Sequence, residues 1–256
     1  KQRFDRWVYN VGMDGRFHPK YHLLSTSRMQ TSKPAVGNVH KSLRKAVRLA
    51  GHWIVEADYS QSHWRLIAAE SQDQALIADL LAEGQDMYEK IGEALSASRK
   101  EAKTAMNAIA NGGGRNAVGD AGILDPETAI AELQARYPQA FALLDDCKSD
   151  RKLGPDLKPH QRVSQWLQRK EANSLRLVME YLDLRPTEGV SLILPLHDAL
   201  IFQVHKDVDL RAFASEIQEK MGIALLKNHP DLMTGCVKVK AGPSWGEMGD
   251  LDSAIP

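Results

Sequence analysis

Two aspartates in this 256-residue chain stand at the ends of short apolar runs, about 140 residues apart. One run, inside the stretch from Val55 to Leu66, delivers Asp58 and then passes into a segment with helix-compatible spacing. The other, Ser191 to Leu196, delivers Asp198. Strands that each end in a carboxylate can lie side by side in one sheet and hold a pair of divalent metal ions, because hard cations take oxygen ligands. Two metals held that way are the chemistry of phosphoryl and nucleotidyl transfer. Positive charge comes from a different stretch, where Arg99, Lys103, Asn107 and Asn111 follow at intervals of four and so share one face of a helix. Taken alone, a cationic pair at that spacing reads as a solvated face.

The elements that must position these residues follow from periodicity and punctuation. Met13 to His18 reads as a tight turn between two short strands, since Asp14-Gly15 supplies the positive φ that a hairpin needs. Ser25 to Lys41, polar and broken by Pro34 and Gly37, is expected to be an extended loop. Residues 62 to 82 carry apolar positions at helical spacing and predict one helix stopped by Gly84. Ser98 is an N-cap for a helix to Asn111, which Gly112-Gly113-Gly114 ends. Residues 115 to 160 read as an insert with helices at Pro126 to Tyr137 and Pro138 to Asp146, followed by a long helix from Val163 to Leu182. Strands are expected at Ser191 to Leu196, Leu200 to Val204 and Val237 to Ala241, with a helix from Asp207 to Lys227. The pattern predicts the α+β class, an antiparallel sheet backed by helices with a small helical subdomain inserted.

Composition narrows the function classes. A content of 43% hydrophobic and 26% charged residues is that of a globular chain, with no apolar run of the length a membrane span needs. The first residues, Lys1-Gln2-Arg3-Phe4-Asp5, lack the apolar centre of a signal peptide, and a cytoplasmic location is expected. The chain lacks an initiator Met, and its opening carries no start signal, so a C-terminal piece of a longer protein is expected. Cys147 and Cys236 fit no metal-ligand spacing, and zinc is not expected. Net charge is zero, yet residues 1 to 52 hold eleven Lys and Arg against Asp5 and Asp14. A local basic region suits phosphate contacts even when the total is neutral, and a solvated surface is its alternative.

Asp58-Tyr59-Ser60-Gln61 with Arg65 resembles motif A of the family A DNA polymerases, the group of bacterial polymerase I. His197-Asp198 after Leu192-Ile193-Leu194-Pro195-Leu196 resembles motif C, and Arg99, Lys103 and Gly112 keep the spacing of motif B. The likeness runs over roughly residues 14 to 250. It implies a polymerase palm from residues 1–90 and 161–256 and reduced fingers from residues 91–160, without a thumb or exonuclease domain. It also implies two Mg2+ ions, with Mn2+ as a substitute, on Asp58, Asp198 and the carbonyl of Tyr59. Arg99 and Lys103 take the places of the residues that grip the triphosphate, with Lys103 also a proton donor to pyrophosphate. Tyr59, Tyr88, His63, Asn107 and Asn111 fall around the nucleotide. Nucleic-acid contacts fall on Arg28, within Ser27-Arg28-Met29, and on Arg65, Gln168 and His197. The partners implied are a DNA template and primer, nucleoside triphosphates and a replicative helicase or other replication protein, with no membrane, in a bacterial, phage or mobile-element setting.

Five positions depart from the family. Tyr88 replaces a histidine and can give a phosphate one hydrogen bond but no charge. Asn107 and Asn111 replace aromatic residues that shape the nucleotide pocket, and Ala199 replaces an accessory acidic residue. His63 stands where the family carries a glutamate that blocks a ribose 2′-hydroxyl and pairs with the tyrosine at the place of Asn111. With both partners replaced, His63 is expected to be loosely held and ribonucleotide exclusion to be weak. Three readings stay open: a template-directed DNA polymerase, a primase or primase-polymerase making short primers de novo, and a non-catalytic polymerase-like module that binds nucleic acid.

Overall fold

The computed structural model describes residues 11–84 and 86–251. Lys1, Arg3 and Arg6 of the basic region, and Gln85 beside Tyr88, lie outside the described residues. In chain order the elements begin with β1 (Lys20–Leu23), β2 (Met29–Ser32), α1 (Lys41–Arg44), β3 (His52–Tyr59), α2 (Ser62–Ser71), α3 (Gln74–Leu81), α4 (Met87–Ala94) and α5 (Arg99–Ala110). They continue with α6 (Arg115–Asp120), α7 (Pro126–Arg136), α8 (Pro138–Ser149), α9 (Pro159–Leu184), β4 (Val190–Leu196), β5 (Ala199–His205), α10 (Leu210–Leu226), β6 (Val237–Gly242) and β7 (Gly249–Asp250). Two compact units divide them: one from the described residues within Lys1–Tyr59, Ala172–Met221 and Val237–Pro256, the other from Ser60–Glu171 and Gly222–Cys236.

The first unit is built on a five-stranded antiparallel sheet of order β4-β5-β3-β6-β7. Alternation along its central strands makes two different faces. Val55, Ala57 and Tyr59 of β3, Leu200 and Phe202 of β5, and Val237, Val239 and Ala241 of β6 meet as cross-strand partners, and these residues with Val204 of β5 are all buried. Helical segments close this face: Phe213 of α10 meets Phe202 edge to face at 5.2 Å, and the Tyr59 hydroxyl donates to Ser174 Oγ and the Met221 carbonyl. The other face carries Ile54, Glu56 and Asp58 of β3. Val36, Val39, Leu194, Ile201 and Trp245 pack with Ile54 into a second core there.

Trp245 pins the basic segment onto that second face. Its amide donates to the Val47 carbonyl, its indole N–H donates to Glu56 Oε2 at 3.2 Å, and the Arg44 guanidinium lies 4.2 Å over its ring. The segment from Ser25 to Lys41 is therefore more ordered than a polar loop. Part of it, β2, pairs with β1, and Val36 and Val39 enter the core. Among the described residues the Asp14-Gly15 turn closes a single bridge, Val11 to Phe17, and the strand that follows pairs forward with β2. Pro195 is tolerated because β4 is an edge strand, and a register shift between Leu192 and Leu194 turns the following residues toward the second core.

The second unit is helical. The single helix expected over residues 62 to 82 is two, because Gln72 takes a left-handed φ of 55° and Asp73 starts α3 by accepting from Leu76 N. The second oxygen of Asp73 accepts from the amides of Gln139 and Ala140 at the start of α8, so one buried carboxylate caps two helices. Ser98 caps α5 as its sequence predicts, in a reciprocal box with Glu101. Gly112, at φ 80°, ends that helix where a side chain would meet the backbone of His160 at 2.8 Å. The α6 helix was not anticipated within the insert; α7 and α8 fall where Pro126 and Pro138 predict them. Among the described residues no helix is long and apolar enough to cross a membrane.

Asp73→Ala leaves three buried or half-buried amides without their acceptor. The expected loss is about 2 to 4 kcal/mol of stability, read from the urea midpoint at constant m-value; a change below about 0.5 kcal/mol contradicts the double-cap assignment.

Candidate active site

Asp58 reaches the second face of the sheet because β3 is locked in register. Asp58 is paired with Ala199 of β5, and the Tyr59 amide donates to the Asp198 carbonyl at 3.2 Å. Asp198 belongs to the two-residue turn between β4 and β5, in which His197 is exposed and adopts φ 56°. The two aspartate-terminated runs are thus not adjacent strands, as the sequence suggested. β5 lies between them, and the tight hairpin folds Asp198 back beside β3. Both aspartates are half-buried.

No cluster of three or more His, Cys, Asp or Glu able to hold a metal exists among the described residues. Two carboxylates with a main-chain carbonyl nevertheless fit Mg2+, which keeps several waters and is bound through one or two carboxylates plus substrate phosphates rather than by a protein cage. Sequence reasoning missed two cations on the same face. Lys238 is the cross-strand partner of Asp58, Lys240 that of Glu56, and both are exposed. The alternation Val237-Lys238-Val239-Lys240 was the available signal.

In the second unit, α5 presents its cations around one aromatic ring. Arg99 Cζ and Lys103 Nζ each lie 5.9 Å from the centre of the Tyr88 ring, and Lys103 and Asn107 are exposed. The Arg99 guanidinium is ion-paired with Asp86 and lies 3.8 Å from Glu89. Tyr88 itself is buried, and that burial, with Asp86 nearby, pushes its pKa up to about 12. Its hydroxyl faces Asn107 Oδ1 at 3.5 Å. The expectation of a phenol offered to a phosphate is therefore corrected: Tyr88 is a platform beneath the two cations.

His63 is also not loosely held. Asn111 Nδ2 lies 3.3 Å from His63 Nδ1, and Glu171 Oε1 lies 3.7 Å from His63 Nε2 and accepts from Ser62 Oγ at 2.6 Å. Ser164 Oγ donates to Asn111 Oδ1, and Gln168 Nε2 donates to Ser164 Oγ. Gln168, expected to meet nucleic acid, is half-buried with one amide hydrogen engaged in this chain of bonds.

Arg65 is a second correction. It is 4% exposed, and its guanidinium donates to the carbonyls of Ser60 and Leu232, so it clamps the chain after β3 rather than facing nucleic acid. Burial pulls its pKa down. Arg28, in the first unit, sits half-buried at the hairpin turn before β2, where its carbonyl accepts from Leu24 N.

No protein-family model matches the chain. Its fold is similar to that of a solved structure of the POL domain of Pol1 from M. smegmatis in complex with DNA primer-template and dNTP, with a TM-score of 0.74 at 20% sequence identity. The match covers 96% of this chain and 51% of that one, so the chain spans about half the length of that protein. The likeness establishes a polymerase-domain fold: a five-stranded antiparallel sheet with helices on it.

Arg65→Met removes one buried and one half-buried hydrogen bond but keeps the stem. It is expected to cost about 2 to 4 kcal/mol of stability, with no change in the salt dependence of nucleic-acid binding. Undiminished stability with a weaker salt slope would restore Arg65 as a phosphate contact.

Proposed function

We propose that this chain is a template-directed nucleotidyltransferase that extends a primer with nucleoside triphosphates. The observation that supports the reading is the register that sets Asp58 against Ala199 and the Tyr59 amide on the Asp198 main-chain carbonyl, so that two half-buried aspartates stand at one end of the sheet of a fold similar to a polymerase domain. Asp58, Asp198 and the Tyr59 carbonyl are the groups that would hold Mg2+, which when bound supplies Lewis acidity toward a 3′-hydroxyl and neutralises triphosphate charge.

The chain's own residues do the rest by positioning and charge. Lys103 is exposed and lies near no carboxylate closely enough to form an ion pair among the described residues, so it is suited to bind phosphate oxygens and to give a proton to departing pyrophosphate. Arg99 can exchange Asp86 for a phosphate, keeping its charge paired throughout. The basic residues Arg16, Lys20, Lys33, Lys41, Lys45 and Arg48, all exposed, with Arg28, Lys238 and Lys240, give the first unit a surface for nucleic-acid phosphates.

Asp58→Asn and Asp198→Asn are each expected to abolish primer extension while leaving the circular dichroism spectrum and melting temperature unaltered, since both side chains are partly solvated. Undiminished extension by either variant removes the two-metal reading. Lys103→Ala is expected to lower kcat/KM for nucleotide by roughly ten- to a hundredfold, the worth of one or two charge-assisted hydrogen bonds. Wild-type kinetics in that variant would return α5 to the status of a solvated face. Omitting the primer from the wild-type assay separates primer extension from de novo primer synthesis.

A further inference from the structure

The second core of the first unit does not close on itself. Between the sheet face carrying Ile54, Leu194 and Ile201 and the covering residues 15–19 and 36–49 lies a recess of about 460 Å³, with Trp245 in its wall. Packed interiors leave few voids larger than a water, and a volume of this size falls in the range of ligand-binding pockets. All its lining residues belong to the first unit. Ile54 stands four residues before Asp58 along β3, roughly 13 Å at the rise of a strand, so the recess is separate from the aspartate pair.

The floor and walls are apolar, with Val36, Val39 and Phe17 beside the sheet residues. Among the described residues no carboxylate lines the recess, whereas Arg16 and Arg48 do, both exposed and neither in an ion pair. His18, the remaining ionisable group of the lining, is held by Asp14 at 2.9 Å. The half-buried Gln203 adds a side-chain amide that has no hydrogen-bond partner among the described residues. An apolar recess with two unpaired cations at its mouth selects an apolar group that carries negative charge beside it.

The apolar character does not end at the mouth. Val11 and Ile193 line it at 42% and 41% exposure, and Ile193 is the residue that the register shift leaves unpaired on the edge strand β4. A small ligand that fills the cavity leaves this lip in water. A larger partner covers both, as where an anchor side chain enters a pocket inside a ring of further contacts. Arg16 and Arg48 also belong to the surface proposed for nucleic acid, but a sugar-phosphate chain gains nothing from an apolar floor. The first ten residues are cationic, with Lys1, Arg3 and Arg6 against Asp5, and so match the mouth in sign rather than complement it.

We propose that the recess docks an acidic peptide segment of a partner protein, with an aromatic or aliphatic anchor in the cavity and carboxylates on Arg16 and Arg48. The proposal does not rest on the nucleotidyltransferase reading.

The test is a selection from a random-peptide display library on the full chain, followed by fluorescence anisotropy of an enriched peptide made with a fluorescein label. Enriched sequences are expected to combine an aromatic or aliphatic residue with neighbouring Asp or Glu, and to lose affinity as salt rises. Ala46→Glu sets a carboxylate at an exposed position of the lining, and Ile193→Asp sets one at the lip. Each is expected to weaken binding at least about tenfold, the scale of an anchor contact, without lowering the melting temperature. Enrichment of no such sequence, or affinity unchanged in both variants, overturns the proposal. Three other outcomes assign a different occupant and overturn it as well. Peptide binding seen only after Phe4→Ser and Trp7→Ser together assigns the recess to the chain's own first residues. A single-stranded oligonucleotide that binds the wild type but not Ile193→Asp, while peptides fail, assigns it to nucleic acid. Self-association that Ile193→Asp abolishes assigns it to a second copy of the chain.

Discussion

The hydrogen bond from the Tyr59 amide to the Asp198 carbonyl is the constraint on which the placement of the first unit's two aspartates depends. It is the last rung of a ladder that sets Asp58 against Ala199, and it forces the hairpin turn to deliver Asp198 next to the end of β3. A slip of one residue would exchange the two faces of β3. Asp58 and Glu56 would then enter the apolar layer of Phe202, Val239 and Phe213, and Tyr59 would lose Ser174 and Met221. Burying an unpaired carboxylate costs several kcal/mol, so the packing that stabilises the sheet also specifies where the acidic pair stands.

The second unit is ordered by polar groups that have no freedom to do otherwise. Asp73 caps two helices, Arg65 ties the chain after β3 to Leu232, and Asp79 takes Tyr137 and Arg136 together. Burial alone would raise the Asp79 pKa, but the hydrogen bonds from Tyr137 and Arg136 outweigh it and hold the carboxylate below its usual value. Its contribution is therefore present above the unfolded carboxylate pKa and is lost as the pH falls through the lowered one. These buried bonds form the frame on which α5 displays Lys103 and Arg99. The cations themselves stay near the surface, where they can exchange partners without leaving a buried charge unpaired.

What the sequence revealed was local. Asp58 and Asp198 were legible because an apolar run followed by an acid is a strand and its end, and α5 was legible because Ser98 and Gly112 are signals read within a few residues. The roles of Tyr88, Arg65 and Glu171 were not legible, since each depends on which side chain a distant helix or loop brings to it. Nothing near Arg65 in the sequence announces the Leu232 carbonyl, and a motif position that suggests a ligand contact is equally compatible with a buried clamp. The break at Gln72 was missed for the opposite reason. Leu66, Ile67, Leu76 and Leu80 keep the helical period across it, while the competing signal, an Asp73 that prefers capping to continuing, is a single residue.

The central claim, that strand register makes Asp58 and Asp198 one divalent-cation site, is tested most directly by replacing the cation with one that marks its surroundings. Fe2+ bound in place of Mg2+ and treated with ascorbate and peroxide cuts the backbone around it. The account predicts cleavage at the end of β3, near Asp58 and Tyr59, together with cleavage at the turn around Asp198, both suppressed by excess Mg2+ and both lost in Asp58→Asn. Cleavage confined to other parts of the chain, or cuts at the two sites that Mg2+ does not suppress, would contradict it.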